Sequence, residues 1–346
     1  MAKCLGHFLL IGMKSFASAW CRRLSPPLVC ATTLSLWAEP KAQHVFIISI
    51  DGGKPAAIAQ SAMPALKRLA AEGACTWSAQ TIYPSITLPS HTSMLTGVGP
   101  DKHRILWNTW KPRAGVVQVP TIFSEAKRFD FSTAMFVGKE KFRHLLQPGA
   151  VDEFDFDQAQ AGEITTSVIG QPQPAKSKTV PARIVARHAA AYILHHKPNL
   201  CFIHFTDTDD AGHKYGWGSP QQLQAFADID AALAEILKAI TDAGILHDTV
   251  LIVTADHGGH RKTHGSKRPD DMLIPWVVWG KGVKPGYAIT DPVVTFDTAA
   301  TALWLLDVPC PDSFDGRPVA AAFDWQTLHI QAATPPRTHE VSATGL

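Results

Sequence analysis

Residues 44–53 read His-Val-Phe-Ile-Ile-Ser-Ile-Asp-Gly-Gly, an apolar and β-branched run that stops on an acid and two glycines. A run with so little polar alternation suits a strand buried on both faces, and such strands belong to parallel sheets covered by helices. The pattern recurs twice. Asn-Leu-Cys-Phe-Ile-His-Phe at 199–205 runs into Asp207, Asp209 and Asp210, and Thr-Val-Leu-Ile-Val-Thr at 249–254 ends at Asp256-His257-Gly258-Gly259. An acid at the C-terminal end of a strand lies where open α/β sheets place their ligand sites.

Helical spacing fills the intervals. Met63 to Ala71 has it, with Gly73 as a stop; Pro120 to Arg128, Ala182 to His195, Gln221 to Ala243 and Asp297 to Leu306 follow, and Ser132 to Val137 and Ile274 to Trp279 add strands. Strands alternating with helices predict an α/β fold with a central, mostly parallel sheet between helical layers.

One more stretch stands out at 81–97, Thr-Ile-Tyr-Pro-Ser-Ile-Thr-Leu-Pro-Ser-His-Thr-Ser-Met-Leu-Thr-Gly. Thr87 follows a turn signal and precedes Leu88-Pro89-Ser90, where proline suits the first turn of a helix. Thr87 is therefore expected at or beside a helix N-terminus, where free N–H groups and the dipole favour an anionic oxygen. A threonine hydroxyl is a weak nucleophile unless a base or a metal activates it.

The activator is sought among the acids and histidines. Asp51, Asp209 with His213, and Asp256 with His257 close the apolar strands, and His264 follows in Thr263-His264-Gly265. Carboxylate and imidazole suit zinc or similar first-row divalent ions. Six such ligands exceed the needs of one tetrahedral ion and suffice for two. Singly, each has a plainer explanation: an aspartate closing a strand is commonly a turn or cap residue, and any one of sixteen histidines is commonly structural. Their shared location at one sheet edge with Thr87 is what makes them a candidate site.

Composition bounds the rest. The 346 residues, 46% hydrophobic and 18% charged, describe a globular protein with a substantial core. Residues 1–42 hold five Lys/Arg against Glu39, a net of +4, so the remainder carries 2 − 4 = −2. The pI of 8.2 thus comes from that segment and gives no sign of a nucleic-acid-binding surface. Basic residues followed by the largely apolar Leu24–Ala38 read as a leader over 1–42, which predicts export to the periplasm or outside the cell; no apolar run is long enough for a transmembrane helix. Residues 43–325 form the expected domain, and 326–346, which lose periodicity, a tail. Of six cysteines, Cys4, Cys21 and Cys30 lie in the leader, and Cys75, Cys201 and Cys310 have neither disulfide nor zinc spacing.

Taken in order, Asp51-Gly52, Thr87-Leu88-Pro89-Ser90-His91, Asn108, Asp209-Asp210-Ala211-Gly212-His213, Thr254-Ala255-Asp256-His257-Gly258 and His264-Gly265 resemble the motifs of the type I phosphodiesterase/nucleotide pyrophosphatase family, part of the alkaline phosphatase superfamily. The resemblance covers residues 43 to about 320. It implies a hydrolase with two divalent ions, zinc by resemblance, and a small-molecule phosphoester substrate. One ion would lie on Asp51, Asp256, His257 and the Thr87 oxygen, the other on Asp209, His213 and His264. Thr87 would be the nucleophile, passing through a threonyl-phosphate intermediate, and Asn108 would bind phosphate, with the Leu88 N–H donating to the same oxygen. His264 is preferred to His260 because Met272 and Ile274-Pro275-Trp276 follow it as in the family. His91 is expected to support packing or the ligands from behind, Lys54 to be solvated or to approach an anionic substrate, and Asp207 and Asp210 to be solvated or to orient imidazoles. Departures bear on substrate: Leu88 stands where nucleotide-cleaving members carry an aromatic, which leaves Trp107, Trp110, Tyr215 or Trp217 as a candidate apolar wall, and Arg104 replaces a glycine. A phosphomonoesterase, a phosphonate hydrolase or a non-catalytic metal-binding protein on the same fold are the alternatives. The Cys/Ser-x-Pro-x-Arg sequence of a sulfatase is absent.

Overall fold

The computed structural model describes residues 40–157, 159, 162–166 and 175–324. Almost all of the expected leader, with its three cysteines, and the whole expected tail over 326–346 lie outside these residues. The strands are β1 (His44–Ile50), β2 (Ala74–Gln80), β3 (Thr133–Val137), β4 (Glu153–Asp155), β5 (Gly162–Thr166), β6 (Ala175–Thr179), β7 (Leu200–Phe205), β8 (Thr249–Ala255), β9 (Leu273–Gly280) and β10 (Tyr287–Ala288). Eight of them form one sheet in the order β10-β2-β9-β8-β1-β7-β3-β4, and β5 and β6 make a separate antiparallel pair.

β1 is central and parallel to both neighbours. Ile50 lies opposite Phe205 of β7 and Ala255 of β8. The next residues of the three strands, Asp51, Thr206 and Asp256, therefore leave the sheet at one level and on one edge. Every side chain from Val45 to Asp51 is buried, as the unalternated pattern requires of a strand covered on both faces.

The helices are α1 (Pro55–Gln60), α2 (Pro64–Glu72), α3 (Thr87–Thr96), α4 (Pro100–His103), α5 (Ile122–Lys127), α6 (Ala182–His196), α7 (Asp207–Tyr215), α8 (Pro220–Asp242), α9 (Pro269–Met272) and α10 (Asp297–Leu305). α8 starts on Ser219, whose Oγ accepts the Gln222 N–H, with Pro220 at the first helical position. It buries Phe226, Ile229, Leu233, Ile236 and Ile240 at helical spacing and packs along α6.

β9 departs from the simple alternation: it runs antiparallel to both β8 and β2. A parallel return needs a crossover helix of about a dozen residues. Between β8 and β9 the chain offers only a loop and the four-residue α9, so it turns back.

Candidate active site

Thr87 occupies the first position of α3, after Ile86 in extended conformation. All ten residues of α3 are buried, and Gly97 closes it at φ 68° with the Phe314 ring where a Cβ would lie. Three polar contacts tie the segment around Thr87 to the sheet edge. His264 Nδ1 donates to the Ser85 carbonyl (2.9 Å), Ser90 Oγ donates to the Asp256 carbonyl (2.7 Å), and His91 bridges the Thr87 carbonyl (2.8 Å) to Ser49 (2.7 Å). His91 thus has the supporting position expected of it.

The predicted acids and imidazoles gather in two adjoining clusters. Asp209 and His213, four apart on α7, share a face, and Asp209 Oδ1 lies 3.2 Å from His213 Nε2 and 3.6 Å from His264 Nε2. Beside them, His257 Nε2 is 3.3 Å from both Asp51 Oδ1 and Asp256 Oδ2. Ligand atoms of Asp209, His213 and His264 fall within 4.8 Å of one another, as do those of Asp51, Asp209 and His257. None of these residues, Thr87 or Asn108 is more than 7% exposed.

Tautomers follow from the backbone. His213 and His264 place Nδ1 on the carbonyls of Lys262 and Ser85, so Nδ1 carries the proton and Nε2 presents a lone pair; His257 Nδ1 likewise donates to the Gly258 carbonyl and turns Nε2 toward Asp51 and Asp256. The His213 and His264 Nε2 atoms face each other at 3.1 Å, and two lone pairs so placed call for a cation between them rather than a hydrogen bond. Buried polar atoms lacking a hydrogen-bond partner tell the same story. Asp51 Oδ1, Thr87 Oγ1, Asp209 Oδ1, Asp256 Oδ2 and His257 Nε2 are among them. An enclosed oxygen or nitrogen without a partner is costly, and a divalent ion satisfies several together. The donor set therefore fits two ions of the zinc type.

Charge divides the carboxylates. Burial opposes ionisation of Asp51 and Asp209, but Lys139 holds both well below the usual carboxylate range, with His204 and His257 assisting at Asp51 and His213 at Asp209. Asp256 is not in contact with Lys139, which acts on it only weakly, and burial together with the Asp51 charge pushes it well above that range. Burial also opposes charge on His257, yet Asp256 and Asp51 lift it to about 9, while burial and His257 push His264 down. The Asp256–His257 pair thus retains a proton that a bound cation would displace.

Three residues of the site escaped the sequence reading. Lys139 is 1% exposed and places its ammonium 2.6 Å from Asp51 Oδ2 and 2.5 Å from Asp209 Oδ2, fixing which oxygen of each acid faces its cluster. Lys141 approaches Asn108 Oδ1 at 3.1 Å; burial and Lys139 bring its ammonium down to about 8. His204, inside β7, sets Nε2 3.0 Å from Asp51 Oδ2. A signal for the lysines existed: Gly138-Lys139-Glu140-Lys141 follows β3, which is parallel to β7, and so shares its edge. His204 sits in an apolar run, packed against Phe142 and His91, and reads there as a packing residue.

Other candidates are placed elsewhere. His260 bonds Asp271 (2.7 Å), Lys54 pairs with Asp270 (2.7 Å), and Asp207 accepts the Ala182 N–H that starts α6 (2.8 Å). The Leu88 N–H goes to Asn108 Oδ1 (2.9 Å), so it orients that amide instead of awaiting a substrate oxygen as expected. Trp217 is no outer wall: its Nε1 donates to Gly52 O (3.2 Å) and its ring lies edge-on to His213 and His264. It fits only because Gly212 and Gly259 carry no Cβ, which would come within 2.8 Å and 2.2 Å of the ring. Gly52, at φ 71°, lets the chain turn off β1 under Asp209. Tyr215 is exposed, and Trp107 and Trp110 pack on His144, which accepts the Trp107 indole N–H (3.2 Å). Cys201 is buried and Cys75 and Cys310 partly so; all three are free.

With this geometry in hand, comparison with known proteins is informative. The family model described as type I phosphodiesterase / nucleotide pyrophosphatase matches residues 45–272. GPI ethanolamine phosphate transferase 1 of Emericella nidulans is 35% identical over 88 residues, 25% of this chain but only 10% of its own length. An uncharacterized pyrophosphatase/phosphodiesterase of Schizosaccharomyces pombe is 24% identical over 233 residues, 62% of this chain and 44% of that protein. The chain thus spans less than half of these curated relatives. Among solved structures, inactive murine ectonucleotide pyrophosphatase / phosphodiesterase 5 in complex with AMP superposes with a TM-score of 0.66 at 13% identity, covering 82% of this chain and all of that one. The phosphonate monoester hydrolase of Silicibacter pomeroyi gives 0.58 at 16% identity, covering 80% and 75%. At such identities the likeness is one of fold.

Proposed function

The chain belongs to the type I phosphodiesterase / nucleotide pyrophosphatase family, and from that premise we propose that it hydrolyses phosphodiester or pyrophosphate bonds with two divalent ions, zinc by ligand chemistry, and Thr87 as nucleophile. One observation carries the reading: the buried atoms without partners include the Thr87 hydroxyl and one ligand atom from each of four acids and imidazoles on three strand ends.

Asp51, Asp256, His257 and Thr87 would hold one ion, and Asp209, His213 and His264 the other. Bound ions of this kind lower the pKa of a coordinated hydroxyl and stabilise the charge that develops on attacking and leaving oxygens. The chain's own residues supply the rest. α3 and the contacts around Ser85, Ser90 and His91 fix Thr87 at a helix N-terminus, where an alkoxide is favoured. Attack of Thr87 Oγ1 on phosphorus expels the alcohol or phosphate leaving group and leaves a phosphothreonine; water then attacks that phosphorus and restores the hydroxyl. Asn108, its oxygen held by Leu88 and Lys141, has its NH2 left to offer a phosphoryl oxygen. Export of the chain behind its basic, apolar leader is part of the same proposal.

Thr87→Ala tests it. Turnover of bis(4-nitrophenyl) phosphate should vanish while metal content by mass spectrometry stays at that of the wild type; turnover similar to wild type removes Thr87 from the chemistry.

A further inference from the structure

Among the described residues Lys141 is a buried amine in no ion pair; Asp51, Asp209 and Asp256 act on it only from beyond contact, against burial and the charge of Lys139. It is 6% exposed, and its one described hydrogen bond is to the neutral Asn108 oxygen. Its near neighbour Lys139 has two, to Asp51 and Asp209, and Asp256 faces His257. An ammonium carries three N–H donors, and enclosing it without an anion is strongly unfavourable unless a ligand brings one. The contact with Asn108 says where that ligand lies. The same Asn108 oxygen accepts from Lys141 and from Leu88, the residue after Thr87, so the ammonium and the amide NH2 are neighbouring donors next to the candidate nucleophile. A neutral hydrogen-bonding group would satisfy the Asn108 NH2. A diester brings one negative charge, for which the two candidate ion clusters compete; a second charge on the phosphoryl group leaves one for Lys141.

Resting on the reading of Thr87 as nucleophile, we propose that Lys141 binds an anionic phosphoryl oxygen, and that the site is thereby built for a terminal phosphoryl group bearing two negative charges in preference to an internal diester bearing one. Lys141 would be a substrate-contacting residue. Its partner is chemically a phosphate monoester or the end group of a pyrophosphate.

The test is calorimetric binding of inorganic phosphate and of dimethyl phosphate to the zinc-loaded wild type and to Lys141→Met, Lys141→Gln and Lys141→Arg. Metal content is measured on each, and kcat/KM is read on 4-nitrophenyl phosphate and methyl 4-nitrophenyl phosphate. Loss of a hydrogen bond to a charged group predicts phosphate binding about 10- to 100-fold weaker in the Met and Gln variants. Dimethyl phosphate should change by less than about threefold, the monoester-to-diester ratio of kcat/KM should fall in step, and Arg should restore most of both. Equal losses on the two ligands, phosphate affinity unchanged in Met and Gln, or loss of metal together with phosphate would overturn the assignment. A wild type that holds no divalent ion and cleaves neither ester would instead sink the hydrolase reading, and the phosphate affinities would still decide Lys141.

Discussion

Lys139→Met probes the electrostatics on which the site is built. The ammonium holds Asp51 and Asp209 at 2.6 and 2.5 Å, and all three side chains are at most 1% exposed. Removing one partner of a buried ion pair leaves an uncompensated charge and costs about 3–5 kcal/mol. Here two carboxylates lose the same partner, but His204 at 3.0 Å from Asp51 and His213 at 3.2 Å from Asp209 remain. The single-pair figure of about 3–5 kcal/mol is therefore the expected loss for the metal-free protein, a fall in Tm of roughly 6–10 °C at about 2 °C per kcal/mol for a chain this large. Methionine matches the length of lysine, so little of the loss comes from a cavity. With zinc saturating both clusters, the ions compensate the same carboxylates and the loss should shrink to about 1–2 kcal/mol. Urea denaturation of chelator-treated and zinc-saturated protein, wild type and variant, measures the four corners of this cycle. An equal loss with and without zinc would mean that Lys139 contributes packing rather than charge, and a loss below about 1 kcal/mol without zinc would refute the reasoning altogether.

Gly259→Ala places a Cβ 2.2 Å from the Trp217 ring, which lies edge-on to His213 and His264. Overpacking of about 1–3 kcal/mol and about tenfold weaker metal binding are expected, read by denaturation and by zinc titration against a chelating dye; wild-type affinity would count against Trp217 as the wedge that sets the imidazoles. Chelation should abolish activity, with zinc restoring it better than magnesium, since imidazole and carboxylate ligands disfavour magnesium; activity indifferent to chelator would remove metals from the mechanism. His103, buried and accepting the Ile105 N–H, is pushed by that burial to about 4. Its folded pKa lies below the unfolded value of about 6.5, so as pH falls through this window the unfolded chain takes up the proton first, and stability drops by roughly 2–4 kcal/mol. His103→Gln should flatten that part of the stability profile, and an unchanged slope between pH 6.5 and 4 would assign it to other groups.

Legibility in the sequence followed the range of the interaction. Unalternated apolar runs marked β1, β7 and β8, and helical spacing marked α2, α6, α8 and α10 within a residue or two, because burial on two faces or one imposes its own period on the chain. The direction of β9 was not legible, since it depends on whether the preceding connection forms a helix that crosses the sheet and not on the composition of the strand. The acids and imidazoles were found because each follows a strand or sits in a recognisable motif. Lys139, Lys141 and His204 were not. Lysines after a strand read as solvated charge, and a histidine in an apolar run reads as packing, until the partners are known.

By itself the sequence determined the layered α/β architecture, the order of its elements and the side chains that strand ends bring to one edge, because hydrophobic period and strand termination are local properties. Only the tertiary structure decided which oxygen of each carboxylate is left free, which imidazole nitrogen carries the proton, and that one lysine at the site is paired while its neighbour is not. Those are outcomes of contacts between residues far apart in the chain, such as Asp51 with His257 and Gly52 with Asp256, and no local pattern encodes them.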